Sequence, residues 1–178
     1  MYKGQKIKKL PLSVEDQMKM FSKAPSEAHK VLLLFFLGKG IHPICLAKPR
    51  EYGLVWDDKY VSWERSKTKK VVTTSWSKTM KEGSNLVLLR KISGMTKQRY
   101  WQMVKEMGRL VGISNLCPLR LRYTYFCNRG RLMHHPYDVS ASSGTSMDTI
   151  YNYYTIGKEE NEKLSDEERI FLKELIEP

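Results

Sequence analysis

Between Arg65 and Lys70 the sequence reads Arg-Ser-Lys-Thr-Lys-Lys, a dense run of cations. It lies between two β-like runs, Tyr60 to Glu64 and Val71 to Ser75, and is therefore expected to form the tip of a hairpin. Clustered at such a tip, Arg65, Lys67, Lys69 and Lys70 suit contact with phosphates; the alternative use is a sheet edge kept from aggregating by its lysines. A second cationic pair, Arg120 and Arg122, follows Pro118 on an expected helix. A guanidinium offers paired donors, so Arg122 would grip a DNA phosphate or a neighbouring carboxylate. Tyr151, Tyr153 and Tyr154 form an aromatic run on a further helix, and packing is the usual use of such a run. The pair His134-His135 reads as a loop contact, because no Cys or acid stands near it at metal-ligand spacing. Cys45, Cys117 and Cys127 are likewise scattered, which fits reduced thiols in an intracellular protein; neither a metal nor a cofactor is indicated.

The charge balance narrows the partner. The chain of 178 residues carries 31 Lys and Arg against 19 Asp and Glu, a net charge of +12. Such an excess favours DNA, RNA or an anionic membrane surface. From Lys158 to Pro178 there are eight acids and four bases, so the body before this tail is still more basic. An acidic tail avoids phosphates. It would cover a basic groove, dock on another protein, or simply be solvated. The longest apolar run, Val31 to Leu37, is too short to span a bilayer, and no amphipathic basic helix suits a membrane surface, so no membrane role is expected. The hydrophobic share of 41% is that of a globular domain.

These candidates need a scaffold, and its elements can be read locally. Residues 1–12 read as a flexible basic arm, 13–157 as the domain, and 158–178 as an acidic helical tail. Ser13, followed by Glu15 and Asp16, starts a short helix that stops before Pro25. Ser26 caps a second helix from Glu27 to about Leu37, whose centre is apolar all round and so belongs in the core; Gly38 and Gly40 end it. Short strands at about 53–56, 60–64 and 71–75 make a three-stranded antiparallel sheet, with a turn at Asp57-Asp58. Asn85 to Lys91 fits either a strand or a helix. Met95 to Val111 is a helix whose core face carries Trp101, Val104, Met107 and Leu110-Val111, ended by Gly112. A helix from Leu119 to about Cys127 is closed by Gly130, and shorter ones follow at about 136–142 and 147–154. Trp76 and Trp101 are expected in the core. The last helix, capped by Ser165, carries Ile170, Phe171, Leu175 and Ile176.

This order of elements, with three local segments, resembles the catalytic domain of the tyrosine recombinases, the phage-type integrases. The segment Gly112-Ile113-Ser114-Asn115-Leu116-Cys117-Pro118-Leu119-Arg120-Leu121-Arg122-Tyr123-Thr124 is similar to the family's loop and His-x-x-Arg helix. Arg122 falls on its second catalytic arginine and Thr124 on its threonine; Leu119 stands where the family has His or Lys. Gly144 to Tyr154 resembles the segment that runs from a Gly-His pair to the nucleophile, with Thr145 in the place of His or Trp. Tyr154 has the nucleophile's spacing and Tyr153 is one residue short of it, and both stay open. Leu33 to Ala47 resembles the apolar helix leading into the first catalytic arginine, whose place falls on Gly40, with Pro43 where an acid follows. The hairpin lysine would be Lys67 or Lys69. The resemblance covers about residues 13–154.

It implies a mainly α fold with a small three-stranded antiparallel sheet, the DNA breaking-rejoining catalytic fold. It also implies a protein of DNA recombination and integration, DNA-associated inside the cell and encoded on a mobile element, that contacts duplex DNA. Arg122, Lys67, Tyr154 and Thr145 would form the catalytic place; Arg65, Lys67, Lys69, Lys70, Arg120 and Arg122 would hold DNA. In the family a tyrosine attacks a phosphodiester, arginines stabilise the gathering charge, and a lysine protonates the leaving oxygen. With the first arginine and both histidine places lost, cleavage is expected to be weak or absent, because one preorganised donor alone is worth roughly a hundred- to a thousandfold. Lys39 or Arg50 would have to fill the empty arginine place, and His42, His134 or His135 would have to carry protons. The alternatives are an active recombinase, and an accessory subunit that docks on a partner recombinase or on its own copy through the C-terminal helix. Family members usually carry a separate DNA-binding domain before this one, so the chain is expected to be a fragment or a stand-alone domain.

Overall fold

The computed structural model describes residues 10–65 and 68–178. Ten α-helices, a short 3-10 turn (Asn161–Lys163) and three strands lie in these residues. The α-helices and strands are α1 (Val14–Ser22), α2 (Glu27–Lys39), α3 (Pro43–Ala47), β1 (Val55–Trp56), β2 (Tyr60–Glu64), β3 (Val71–Ser75), α4 (Lys78–Lys81), α5 (Asn85–Ile92), α6 (Lys97–Val111), α7 (Pro118–Arg131), α8 (Pro136–Ser143), α9 (Met147–Glu160) and α10 (Asp166–Ile176). The architecture is mainly helical with one small antiparallel sheet, as expected. The helix starts follow the capping residues: Ser13, Ser26 and Ser165 each accept a backbone N–H from the third helical residue, and Ser165 with Glu168 closes a full capping box.

Helix α2 is the centre of the core. Every residue from Val31 to Lys39 is buried, and the helix packs on α7, α5, α10, α4 and α6. An all-round apolar surface has no stable position other than between neighbours. The helix continues through Gly38 and ends at Gly40, where φ is +61°. The sheet runs β1-β2-β3, with Val55 opposite Ser62 and Tyr60 opposite Ser75. Val61, Trp63 and Val72 face the core, while Ser62 and Thr73 share a hydroxyl bond on the other face. The expected turn at Asp57 is there: its carboxylate accepts the N–H groups of Lys59 and Tyr60.

Helices α7 and α9 cross in close contact. A Cβ at Gly130 would overlap the Tyr154 carbonyl, and one at Gly157 would overlap the Cys127 carbonyl. Gly130 is thus a packing residue inside α7, not its stop, and α7 runs on to Arg131. Beside this crossing, Gln17 and Asn128 exchange side-chain hydrogen bonds, and Arg131 joins Asn128 to Glu160.

One open reading is resolved and two further expectations change. Asn85–Ile92 is a helix, and the short α3 and α4 had not been read as helices. The core face of α6 is Tyr100, Met103, Val104, Met107 and Gly108. Trp101, one residue off that face, is 44% exposed under the Lys105 ammonium, and Leu110 is also exposed, whereas Trp76 is fully buried. Ile170 points to solvent on α10; Leu172, Leu175 and Ile176 are the residues that helix buries.

The acidic tail packs on its own domain. α10 lies on α1, α2 and α4, with Phe171 edge-on to Phe21. Its C-terminal end is tied down by Lys39, which donates to the Ile176 carbonyl, by Thr79 on Glu174, and by His134 on Glu177. No helix among the described residues is long and apolar enough to cross a membrane.

Candidate anion-binding site

The site is assembled from three turns and one helix face. Pro118 opens α7, where a missing N–H leaves nothing unsatisfied. One turn later Arg122 leaves the helix with its guanidinium carbon 5.3 Å from the Phe126 ring centroid. Its Nε donates to the Gly40 carbonyl at 2.7 Å, and its Nη2 donates to the Thr145 hydroxyl at 2.6 Å. Both acceptors are held in place. Gly40 sits in the left-handed region with the Tyr125 ring where a Cβ would go, so no other residue fits there without displacing that ring. Thr145 follows Gly144, the left-handed end of α8; its N–H bonds the Ser143 hydroxyl, and its carbonyl accepts from Ser140.

Two of the five guanidinium N–H groups are thereby used. The other three have no acceptor among the described residues, and no carboxylate lies within ion-pair distance of Arg122. They face a hollow of about 480 Å³ lined by Arg122, Arg65, His42, Cys45, Trp63, Thr68, Tyr123 and the run Ser143–Ser146 with Thr149. Its lining has two guanidinium groups, several hydroxyls and no acid. Burial, with Arg65 nearby, lowers the Arg122 pKa, yet an arginine stays charged at any physiological pH. Arg65 reaches the hollow because its N–H closes the hairpin on the Lys70 carbonyl and its side chain lies along Gly144. His42 caps α3: its Nδ1 accepts the Ile44 N–H at 3.2 Å, and burial pushes its pKa down to about 4.

Of the residues predicted from sequence, Arg122, Thr145 and Arg65 meet here. Lys67 lies outside the described residues. Lys69, at φ +56°, is exposed and paired with Glu64; Lys70 is exposed. Arg120 is turned to structural use, donating to the carbonyls of Leu10 and Ser114. Thr124 is too, accepting the Leu12 N–H. Tyr154 is buried outside the hollow's lining, and burial raises its pKa. Tyr153 stacks flat on Tyr123, a lining residue, at 4.5 Å between centroids; burial pushes its phenol up to about 12. Lys39 is buried on the Ile176 carbonyl, well away from any role in the hollow, and Arg50 does not line it. His134 is engaged with Glu177, and His135 caps α8. Sequence reading missed Cys45, Trp63 and Ser143, which belong to other elements and carry no motif.

No protein-family model matches the sequence, and no curated protein matches it. Among solved structures, the chain is similar to a crystal structure of the XerH site-specific recombinase bound to palindromic difH substrate, a post-cleavage complex. The TM-score is 0.60 and the identity 14%, over 86% of this chain and 52% of that one. It is also similar to the pre-cleavage complex of XerH with difH, at TM-score 0.57 and 15% identity over 83% and 51%. This chain spans about half the length of those structures. The likeness is one of fold: a helical domain with a three-stranded antiparallel sheet, matching the tyrosine recombinase catalytic domain.

Proposed function

We propose that this protein binds duplex DNA through its phosphate backbone, as a tyrosine recombinase-like domain whose strand cleavage is weak or absent. One observation carries the reading: Arg122 presents three uncommitted donors to an acid-free hollow that also holds Arg65. A half-buried guanidinium without a carboxylate keeps its charge and its remaining donors available to an anion. A phosphodiester is the anion that fits the basic body and the fold shared with a DNA-bound recombinase.

Features of the same site support the loss of chemistry. Where the recombinase pattern has its first arginine, this chain has the Gly40 carbonyl, an acceptor, turned toward Arg122. Both candidate phenols, Tyr153 and Tyr154, are buried with raised pKa values, which disfavours the phenolate that attacks phosphorus. The hollow's imidazole, His42, is held neutral by burial and by the cations around it.

The test is a titration of labelled duplex DNA by fluorescence anisotropy over a range of salt. Log affinity should fall by about 0.9 per phosphate neutralised for each decade of salt. A flat salt dependence refutes DNA binding through phosphates. A nicked suicide substrate should leave no covalent adduct. An adduct lost in Tyr154→Phe or Tyr153→Phe would refute the impaired-cleavage half of the reading.

A further inference from the structure

We infer that His42 is a second, neutral hydrogen-bond donor to the anion bound at Arg122, acting through Nε2–H. The inference rests on the phosphate-binding reading of the hollow and names a further residue that holds the ligand.

The argument starts from the tautomer. A neutral imidazole has one donor nitrogen and one acceptor nitrogen. In His42 the acceptor is fixed: Nδ1 takes the Ile44 N–H at 3.2 Å, capping α3, whose first residue, Pro43, has no N–H to give. The ring proton must therefore sit on Nε2. That atom has no hydrogen-bond partner among the described residues, while the side chain lines the hollow together with Arg122 and Thr145. An N–H left free in an acid-free hollow beside two guanidinium groups is well placed to serve an oxyanion.

The same surroundings keep the ring neutral. The charged groups that act on it are Arg122 on α7 and Lys97 at the start of α6, and both repel a second proton. Arg65 stands across the hollow, and the Cys45 thiol, raised to about 11 by burial, adds no negative charge. A proton on Nδ1 would also break the cap. His42 thus adds a directional donor without adding a charge, which distinguishes it from the arginines.

A close control exists in the same chain. His135 precedes Pro136 and caps α8 in the same way, Nδ1 accepting the Tyr137 N–H, but it lies outside the hollow. Asparagine is among the best capping residues, so it preserves the cap yet is too short to reach where Nε2 does. Wild type, His42→Asn, His135→Asn and Arg122→Met should be titrated with the same labelled duplex at pH 6 and pH 8. His42→Asn should bind about 10- to 150-fold more weakly, as for one hydrogen bond to a charged group. Its salt slope should be unchanged and its ratio to wild type the same at both pH values; His135→Asn should bind as wild type.

Equal binding by His42→Asn while Arg122→Met binds weakly would overturn the role of His42 and leave the phosphate reading standing. Equal binding by all three variants would overturn the reading itself. A ratio that grows from pH 8 to pH 6 would mean a histidinium, and would also overturn the inference. A second measurement does not depend on any variant. Nitrogen-15 NMR of the wild-type imidazole should show one acceptor and one protonated ring nitrogen at both pH values. The protonated one should shift when inorganic phosphate or the duplex is added; an unmoved resonance at saturating duplex refutes the contact.

Discussion

Replacing Arg122 with methionine separates a binding arginine from a structural one. The substitution keeps an unbranched side chain of similar length and deletes the charge. On the folding side it removes the bonds to the Gly40 carbonyl and the Thr145 hydroxyl, each worth about 1.5–3 kcal/mol as hydrogen bonds to a charged group. It also removes the stack on Phe126, worth about 0.5–1 kcal/mol. Against these stands the desolvation of a half-buried guanidinium with no acid partner, which costs several kcal/mol. The two sides are of similar size, so unfolding free energy should change by no more than about 2 kcal/mol, roughly 4–8 °C in melting temperature for a chain of this length. DNA binding has no such cancellation. Losing the charge-assisted phosphate contact should weaken the complex about 10- to 150-fold and reduce the salt slope by about 0.9. Thermal melts and anisotropy titrations from about 50 to 200 mM salt read both quantities. A variant that melts far lower but, while folded, binds with unchanged affinity and slope would make Arg122 a structural arginine, and the argument from its uncommitted donors would fail.

Three further outcomes follow from the packing. Gly40→Ala combines a left-handed backbone with overlap on the Tyr125 ring and should cost about 2–5 kcal/mol, whereas Gly83→Ala, left-handed but in open space, should cost only about 1–2 kcal/mol; equal melts would refute the account of Tyr125. Lys39 has its pKa lowered to about 7 by burial, so the folded protein binds fewer protons than the unfolded chain between pH 7 and the lysine's ordinary range. Stability from this group therefore rises with pH above 7, and its penalty is complete below 7. Lys39→Met should raise the melting temperature at pH 6 and do so by less at pH 9.5; a gain independent of pH would contradict the buried charge. Ending the chain at Lys163 removes Leu172, Leu175 and Ile176 from the core, about 1.5–3 kcal/mol each, which is comparable to the whole stability of a small domain. The truncated chain should lose its cooperative melt; an unchanged melt would show that α10 is dispensable to the fold.

What was legible in the sequence is what neighbours along the chain decide. The capping serines at 13, 26 and 165 and the apolar run of α2 fix helix starts and burial without help from distant residues. Arg122 could be found because Pro118 fixes where α7 begins and the helical period does the rest. The face of α6 is off by one residue at Trp101, since Trp101 and Tyr100 differ by only 100° and the packing of α1, α2, α3 and α7 on α6 chooses between them. The adjacent phenols of α9 pose the same problem. Their environments are set by the Gly130–Gly157 crossing, which turns Tyr153 onto Tyr123 and leaves Tyr154 toward Arg129. His42 was invisible as a ligand for another reason. It joins Arg122 and Thr145 across 80 and 103 positions of sequence, and nothing local to a His-Pro dipeptide distinguishes it from His135-Pro136.

The departures from the recombinase pattern are coupled to one another through the core. Gly40 turns left-handed, and that turn aims its carbonyl at Arg122. The space a side chain would take at position 40 is filled by Tyr125, whose hydroxyl accepts from Arg129, which also donates to Ser142 on α8. Installing an arginine at position 40 would therefore displace Tyr125, release Arg129 and strain the left-handed turn whose carbonyl orients Arg122. A guanidinium cannot be restored at position 40, beside Arg122 and Arg65, by one substitution. The features that remain, the fixed Arg122 with Arg65 and a ring of hydroxyls, would suit a phosphate in its ground state. The features lost are those whose interactions strengthen only as the phosphate reacts, and it is those that accelerate chemistry. On the proposed reading, a site built in this way would hold DNA without a means of lowering the barrier to cutting it.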